Sequence, residues 1–251
     1  LVLNGDQLSG HDAAAQVRRW RDRRADVCLH LVEVPDPRAY GCVPTDDDGR
    51  VTAFLEKSPD PVTRQVNAGC YVFRRSVIEE IPPGTVVSVE RETFPEVLRA
   101  GRLVTGYVEP CYWLDVGTPA AVAQASRDIV TGTVSTPAYA PAPAERLVDP
   151  GARIDPTAVV RRGSSVGPRA TVGARAVVDG SVIMPGATVL DGAVAVDSVV
   201  GHGASLGAGA VVRDAAVGDD AVVGERCELL AGARLACGAR LEAGSLRFSA
   251  V

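Results

Sequence analysis

The sequence predicts an α/β domain followed by an all-β left-handed parallel β-helix of hexapeptide repeats. Three observations carry this. From Leu147 to Leu246 a branched aliphatic residue returns nearly every six residues, and a small residue stands four positions after most of them. Ahead of Thr133, strand-like apolar runs alternate with segments of helical periodicity. Between these regions, 133–146 is rich in Pro, Ala, Ser and Thr, the composition of a linker. The expected division is therefore residues 1–132, a linker at 133–146, and 147–251.

Leu1-Val2-Leu3 reads as a buried strand, and Asn4-Gly5-Asp6 as the turn that ends it. A carboxylate at a strand end is a natural ligand for a hard cation such as Mg2+. The same triplet is also ordinary turn chemistry. His11 to Arg24 predicts a helix with Asp12 as its start signal and Ala13, Ala14, Val17 and Trp20 on one face. Its arginines cover a solvated face. Val27 to Val34 alternates like a strand, and His30 within it reads as a packed histidine rather than a ligand or base.

Pro35 to Val43 is a rigid loop in which Gly41 lets a ligand approach the backbone. Thr45 to Gly49 is a hairpin tip with the Asp-Gly signal. Val51 to Lys57 is its return strand and ends in Glu56-Lys57. That pair reads either as a weak surface ion pair or as a hydroxyl acceptor beside a phosphate-binding ammonium. Asn67 to Phe73 is a strand entered through Asn67-Ala68-Gly69. Ser76 to Ile81 is a short helix stopped by Pro82-Pro83. Ser88 to Ala100 reads as a helix opened by a capping box, with Pro95 arguing for a break inside it. Strands at Leu103–Glu109 and Cys111–Val116 follow, then a helix that begins at Pro119.

The repeat itself runs Val148, Ile154, Val160, Val166, Val172, Val178, slips by one residue, and resumes at Ile183 and Val189. Two further slips precede Val200 and Val217. Six residues fit one short flat strand and a tight corner, three units make a coil, and stacked coils bury an aliphatic column. The length predicts about five coils. His202, the one histidine of this region, falls at a corner and reads as a solvated turn residue.

Composition narrows the function classes. The chain is 46% hydrophobic but 4% aromatic, which suits a core of small branched residues. The net charge is −5 with no basic block, so nucleic acid is not an expected partner. No apolar run is long enough to span a membrane. Cys28, Cys42, Cys70, Cys111, Cys227 and Cys237 show no CxxC pair and read as buried thiols in a reducing cytoplasm.

Five short motifs, in order, carry a resemblance. They are Asn4-Gly5-Asp6, Tyr40-Gly41, Phe54-Leu55-Glu56-Lys57, Asn67-Ala68-Gly69-Cys70-Tyr71 and Tyr112-Trp113-Leu114-Asp115-Val116-Gly117-Thr118-Pro119. Followed by a β-helix, this set resembles the nucleotide-sugar pyrophosphorylases over essentially the whole chain. Pro37 to Thr45 and Val87 to Glu92 make it most similar to the bacterial mannose-1-phosphate guanylyltransferases.

The resemblance implies that the first domain is part of a Rossmann-like nucleotidyltransferase domain. It implies attack of a sugar 1-phosphate on the α-phosphorus of a nucleoside triphosphate, GTP above others, with release of pyrophosphate. Asp6 and Asp115 become the Mg2+ ligands, and Lys57 the cation on the sugar phosphate. Glu56, Asn67 and the backbone at Gly41 and Gly69 become the sugar contacts. The family's glycine-rich G-x-G-T-R-L loop has no counterpart in these 251 residues, and Glu56-Lys57 is followed by Ser58-Pro59. With Leu1 rather than Met first, the expectation is a chain lacking an N-terminal nucleotide-binding segment and inactive alone. The alternatives are a glucose-1-phosphate thymidylyl- or uridylyltransferase, a non-catalytic regulatory subunit, and a hexapeptide-repeat acyltransferase. A cytoplasmic homo-oligomer, associated through the prism, is expected.

Overall fold

The computed structural model describes residues 1–55, 60–135 and 143–248. Its contacts divide the chain into Leu1–Trp113 and Leu114–Val251. The helix that begins at Pro119 thereby joins the second unit, whereas the sequence division leaves it in the first.

The first unit is built around β3 (Val27–Glu33), whose residues are buried up to the last. Val27, Leu29 and Leu31 pack on one side with Val43, Val51, Tyr71 and Phe94. Helix α1 (Ala13–Arg23) covers the strands as well. This explains why Cys28 and His30 are as buried as their neighbours, where simple alternation predicts a solvated face. The sheet order is β1 (Val2–Leu3), β4 (Gln65–Phe73), β3, β5 (Val104–Val108). Only the β3–β5 pair is parallel. Strands β2 (Gln7–Ser9) and β6 (Trp113–Asp115) lie outside this sheet.

Several elements differ from the sequence reading. Asp12 does cap α1, accepting from Ala15 N at 2.9 Å, but Ala14 is exposed and the buried residue is Gln16. The hairpin after Pro44 is held by isolated bridges, Thr45 to Val51 and Cys42 to Leu55, rather than by a continuous strand over 51–55. Helix α2 (Arg75–Glu79) forms as expected. The Ser88 helix is two pieces, a π-helical turn Val89–Thr93 and α3 (Phe94–Arg99). Ser88 Oγ accepts from Arg91 N at 3.2 Å, and Glu92 accepts from Ser88 N at 2.9 Å. The wider turn sits just ahead of Pro95, whose missing N–H cannot continue the regular ladder. Of the six free cysteines, Cys28, Cys42, Cys70 and Cys227 are buried, Cys111 is half-buried, and Cys237 is exposed.

In the second unit, Thr118 caps α4 (Pro119–Val130) by accepting from Ala121 N at 3.2 Å. A parallel β-helix follows from Arg146–Val148 to Leu246–Phe248. Among the described residues each of its three faces has six strands, so the coils number six rather than five. The aliphatic series points inward, and Val172, Val189, Leu206 and Val223 are stacked on one face with almost no exposure. No helix among the described residues is long and apolar enough to cross a membrane.

The three slips prove to be one corner repeated. The steps from Val178 to Ile183, Ala195 to Val200 and Val212 to Val217 are each one residue short, and all three join the same two faces. Ala195 fills the inward position that the aliphatic series skips. A serine ladder fills the shortened corner. Ser164 Oγ accepts from Ser181 N, Ser181 Oγ from Ser198 N, and Ser198 Oγ from Ala215 N, at 3.1, 3.1 and 3.2 Å. Helix α4 packs over this corner, where Ser126 meets Ser165 at 2.9 Å and Arg127 donates to Gly180 O at 3.1 Å. A side chain at Gly163 would press within 3.0 Å of the Arg127 backbone, so glycine admits the helix.

Candidate active site

Strand β4 is not regular where the Asn67-Ala68-Gly69 motif lies. Leu29 faces Tyr71 and Leu31 faces Asn67, so three residues of β4 stand opposite the single residue His30. The bulge re-aims Asn67 and turns Gly69 to φ +76°. Gly69 O accepts from Asn4 N at 2.8 Å. A Cβ on Gly69 would stand 2.9 Å from Gln7 Cγ and 3.1 Å from Asn4 Cβ. The bulge therefore touches the turn that carries Asp6, and its glycine is required both by backbone angle and by space. Trp113 clamps the other side, donating from its indole to Ala68 O at 3.1 Å. Tyr40 meets the same indole edge-on at 5.4 Å.

Asn67 is locked in orientation. Its Oδ1 accepts from Gly69 N at 3.2 Å, which leaves Nδ2 to donate to Glu90 Oε1 at 2.6 Å and Tyr71 OH at 2.9 Å. The Tyr71 hydroxyl stands 3.2 Å from the same Glu90 oxygen. Burial, and then the Glu90 charge, push the Tyr71 phenol well above its ordinary range, so it remains a neutral donor. Glu90 itself is exposed. The arrangement sets an exposed carboxylate beside an oriented amide, with a buried phenol holding both. That chemistry suits a polyhydroxy ligand.

The sequence-predicted residues distribute as follows. Asp6 is an exposed turn residue between β1 and β2, and Gln7 Nε2 donates to it at 3.4 Å. Gly41 O accepts from Asn67 N at 3.5 Å, so Gly41, Asn67 and Gly69 are brought together beside the Asn4–Asp6 turn. Asp115 ends β6 in the second unit and stands close to Gly117. Glu56 and Lys57 lie outside the described residues. Asp6 and Asp115 each present a hard oxygen donor, which fits Mg2+. His202 is an exposed corner residue, as read from the sequence.

Glu90 lies in the stretch 87–92 that carries part of the resemblance, but the sequence assigns it no site role. A signal for it exists: a capping serine at 88 followed by proline at 95 marks a helix that cannot run regularly. Irregular helical turns recur at functional sites.

Comparison with known proteins follows the same lines. A family model described as nucleotidyl transferase matches residues 1–132. A second, described as the GMPPB C-terminal domain, matches residues 143–237. The mannose-1-phosphate guanylyltransferase of Mycobacterium tuberculosis (strain ATCC 25618 / H37Rv) is 52% identical over 165 residues, 65% of this chain and 46% of that protein. The probable mannose-1-phosphate guanylyltransferase 3 of Arabidopsis thaliana is 32% identical over 132 residues, 52% of this chain and 37% of that protein. The glucose-1-phosphate adenylyltransferase of Desulfitobacterium hafniense (strain Y51) is 28% identical over 138 residues, 52% of this chain and 35% of that protein. The matches span less than half the length of each of these relatives.

Proposed function

The chain belongs to the nucleotidyl transferase family, and from that premise we propose that it serves the transfer of a guanylyl group from GTP to mannose 1-phosphate. The 52% identity to a mannose-1-phosphate guanylyltransferase carries the choice of sugar and base. The part of the reaction assigned to these residues is capture of the sugar phosphate. Asn67 and Glu90, held by Tyr71, take sugar hydroxyls. The backbone at Gly41 and Gly69 lines the approach, Glu56 adds an acceptor, and Lys57 neutralises the phosphate.

A bound Mg2+ would offset charge on the reacting phosphates. Asp6 is proposed as a ligand on the first unit and Asp115 as a ligand on the second. A cytoplasmic location and self-association belong to the same proposal.

Isothermal titration of the 251-residue chain with mannose 1-phosphate and Mg2+ tests it. Binding is expected, and Asn67→Ala should weaken it about tenfold, the worth of one good hydrogen bond. Lys57→Ala should weaken it further. Equal binding by these variants, or stronger binding of glucose 1-phosphate, would reject the assignment.

A further inference from the structure

A second polar cluster in the first unit takes no part in sugar binding. It gathers where the start of α1, the middle of β3 and the end of β5 meet. His11 Nδ1 stands 2.6 Å from Glu109 Oε2. His30 Nε2 stands 3.6 Å from the same oxygen and 3.7 Å from Cys111 Sγ. One donor atom from each of His11, His30 and Glu109 lies within 4.8 Å of the others. The two histidine side chains are 6% and 1% exposed, and that of Glu109 is 17% exposed, which leaves a way in from solvent.

The protons can be placed. Gln16 Nε2 donates to the carbonyls of Cys28 and Cys70, at 2.9 and 3.1 Å. Carbonyls only accept, so the amide cannot be flipped, and Gln16 Oε1 must face His11 Nε2 at 2.8 Å. Nε2 of His11 therefore carries a proton. Its Nδ1 then meets the carboxylate with either a second proton or a lone pair. A lone pair against a carboxylate oxygen at 2.6 Å is repulsive unless a cation lies between them.

We propose that His11 Nδ1, His30 Nε2 and the Glu109 carboxylate bind one divalent transition-metal ion of the zinc class. Two imidazoles and a carboxylate suit such an ion and not Mg2+ or Ca2+. Zinc bonds of about 2.0–2.3 Å in a tetrahedral array put neighbouring donors roughly 3.3–3.6 Å apart. The 3.6 Å from His30 Nε2 to Glu109 lies at the upper end of that range. The His11–Glu109 distance must open, as it does when an ion replaces a proton. The His11 and His30 rings are stacked at 3.8 Å and 16°, so His30 has to turn for its in-plane lone pair to reach the same ion. Its buried Nδ1 makes no hydrogen bond, so turning gives up only the ring stack and the 3.7 Å contact of Nε2 with Cys111 Sγ. The outer contacts are those of a metal site: His11 Nε2–H on Gln16, and the Asp12 amide 3.3 Å from Glu109 Oε1. The three ligands come from the start of α1, the middle of β3 and the residue after β5, so an ion there pins the start of α1 to the sheet.

The full chain, stripped with a chelator, is titrated with Zn2+ and then Co2+ in excess Mg2+, which saturates oxygen-only sites. One equivalent should bind, and Co2+ should show a tetrahedral d–d spectrum. Glu109→Gln and His30→Gln should each weaken binding at least tenfold, and Cys111→Ser should leave it unchanged. Absence of an equivalent, or one that binds the Glu109→Gln variant as tightly, overturns the proposal. These two readouts come from the unsubstituted chain and a mild variant, so they decide the matter even if the histidine variant does not fold.

Discussion

Gly69 shows how one residue shapes the candidate site. Its φ of +76° and the 2.9 Å approach of Gln7 are separate constraints. Gly84 has φ +74° with open space around it, and so isolates the first constraint. Gly84→Ala should cost about 1–2 kcal/mol, the strain of an L-residue in the left-handed region. Gly69→Ala should cost more, because the side chains of Gln7 and Asn4 must also move. Urea midpoints of the two variants would show it, and equal losses would mean that the approach at Gly69 is slack. The Asn-Ala-Gly entrance was readable as a motif. The pairing of Asn67 with Glu90 was not, because a residue 23 positions away reaches Asn67 only through a π-helical turn.

At the scale of an element, the shortened corner of the β-helix is held by polar groups. Ser181 Oγ is the acceptor for the buried Ser198 N–H. Ser181→Ala should cost about 1–3 kcal/mol, the penalty of stranding a buried donor, measured by chemical denaturation. Beside the ladder, Asp179 pairs with Arg161 at 2.7 Å and with Arg162. Burial works to raise the Asp179 pKa, but the hydrogen bonds and charges of the two arginines outweigh it and hold the carboxyl below its ordinary range. A folded-state pKa below the unfolded 3.8 gives stability that is present above about pH 4 and lost as pH falls through the folded value. Asp179→Asn should therefore lower Tm at pH 7, and the gap to the parent should close in acid. A constant gap would assign the loss to packing. The slips were visible in the sequence, whereas their alignment in one corner follows from the way coils stack.

Across the whole molecule, two kinds of order meet in one chain. The β-helix repeats a local rule, and its inward residues stack on their own kind from coil to coil. Val172→Asp should unfold it, costing more than about 4 kcal/mol, since the carboxylate would enter an aliphatic column with no partner. Circular dichroism melting would report this, and an unchanged Tm would contradict the inward assignment. The first unit follows no such rule. Its sheet joins strands far apart in the chain, and β3 is covered on both faces, so Gln16 and His30 are as buried as valines. The sequence by itself determined the β-helix, the positions of its turns, and the motifs that carry the family likeness. All of these are periodic or contiguous, and physical pattern in a chain is local. The tertiary structure decided the six coils, the bulge opposite His30, the joining of Glu90 to Asn67, and the meeting of His11, His30, Glu109 and Cys111. Each of those depends on which distant backbone segments pair, and pairing is a property of the packed fold.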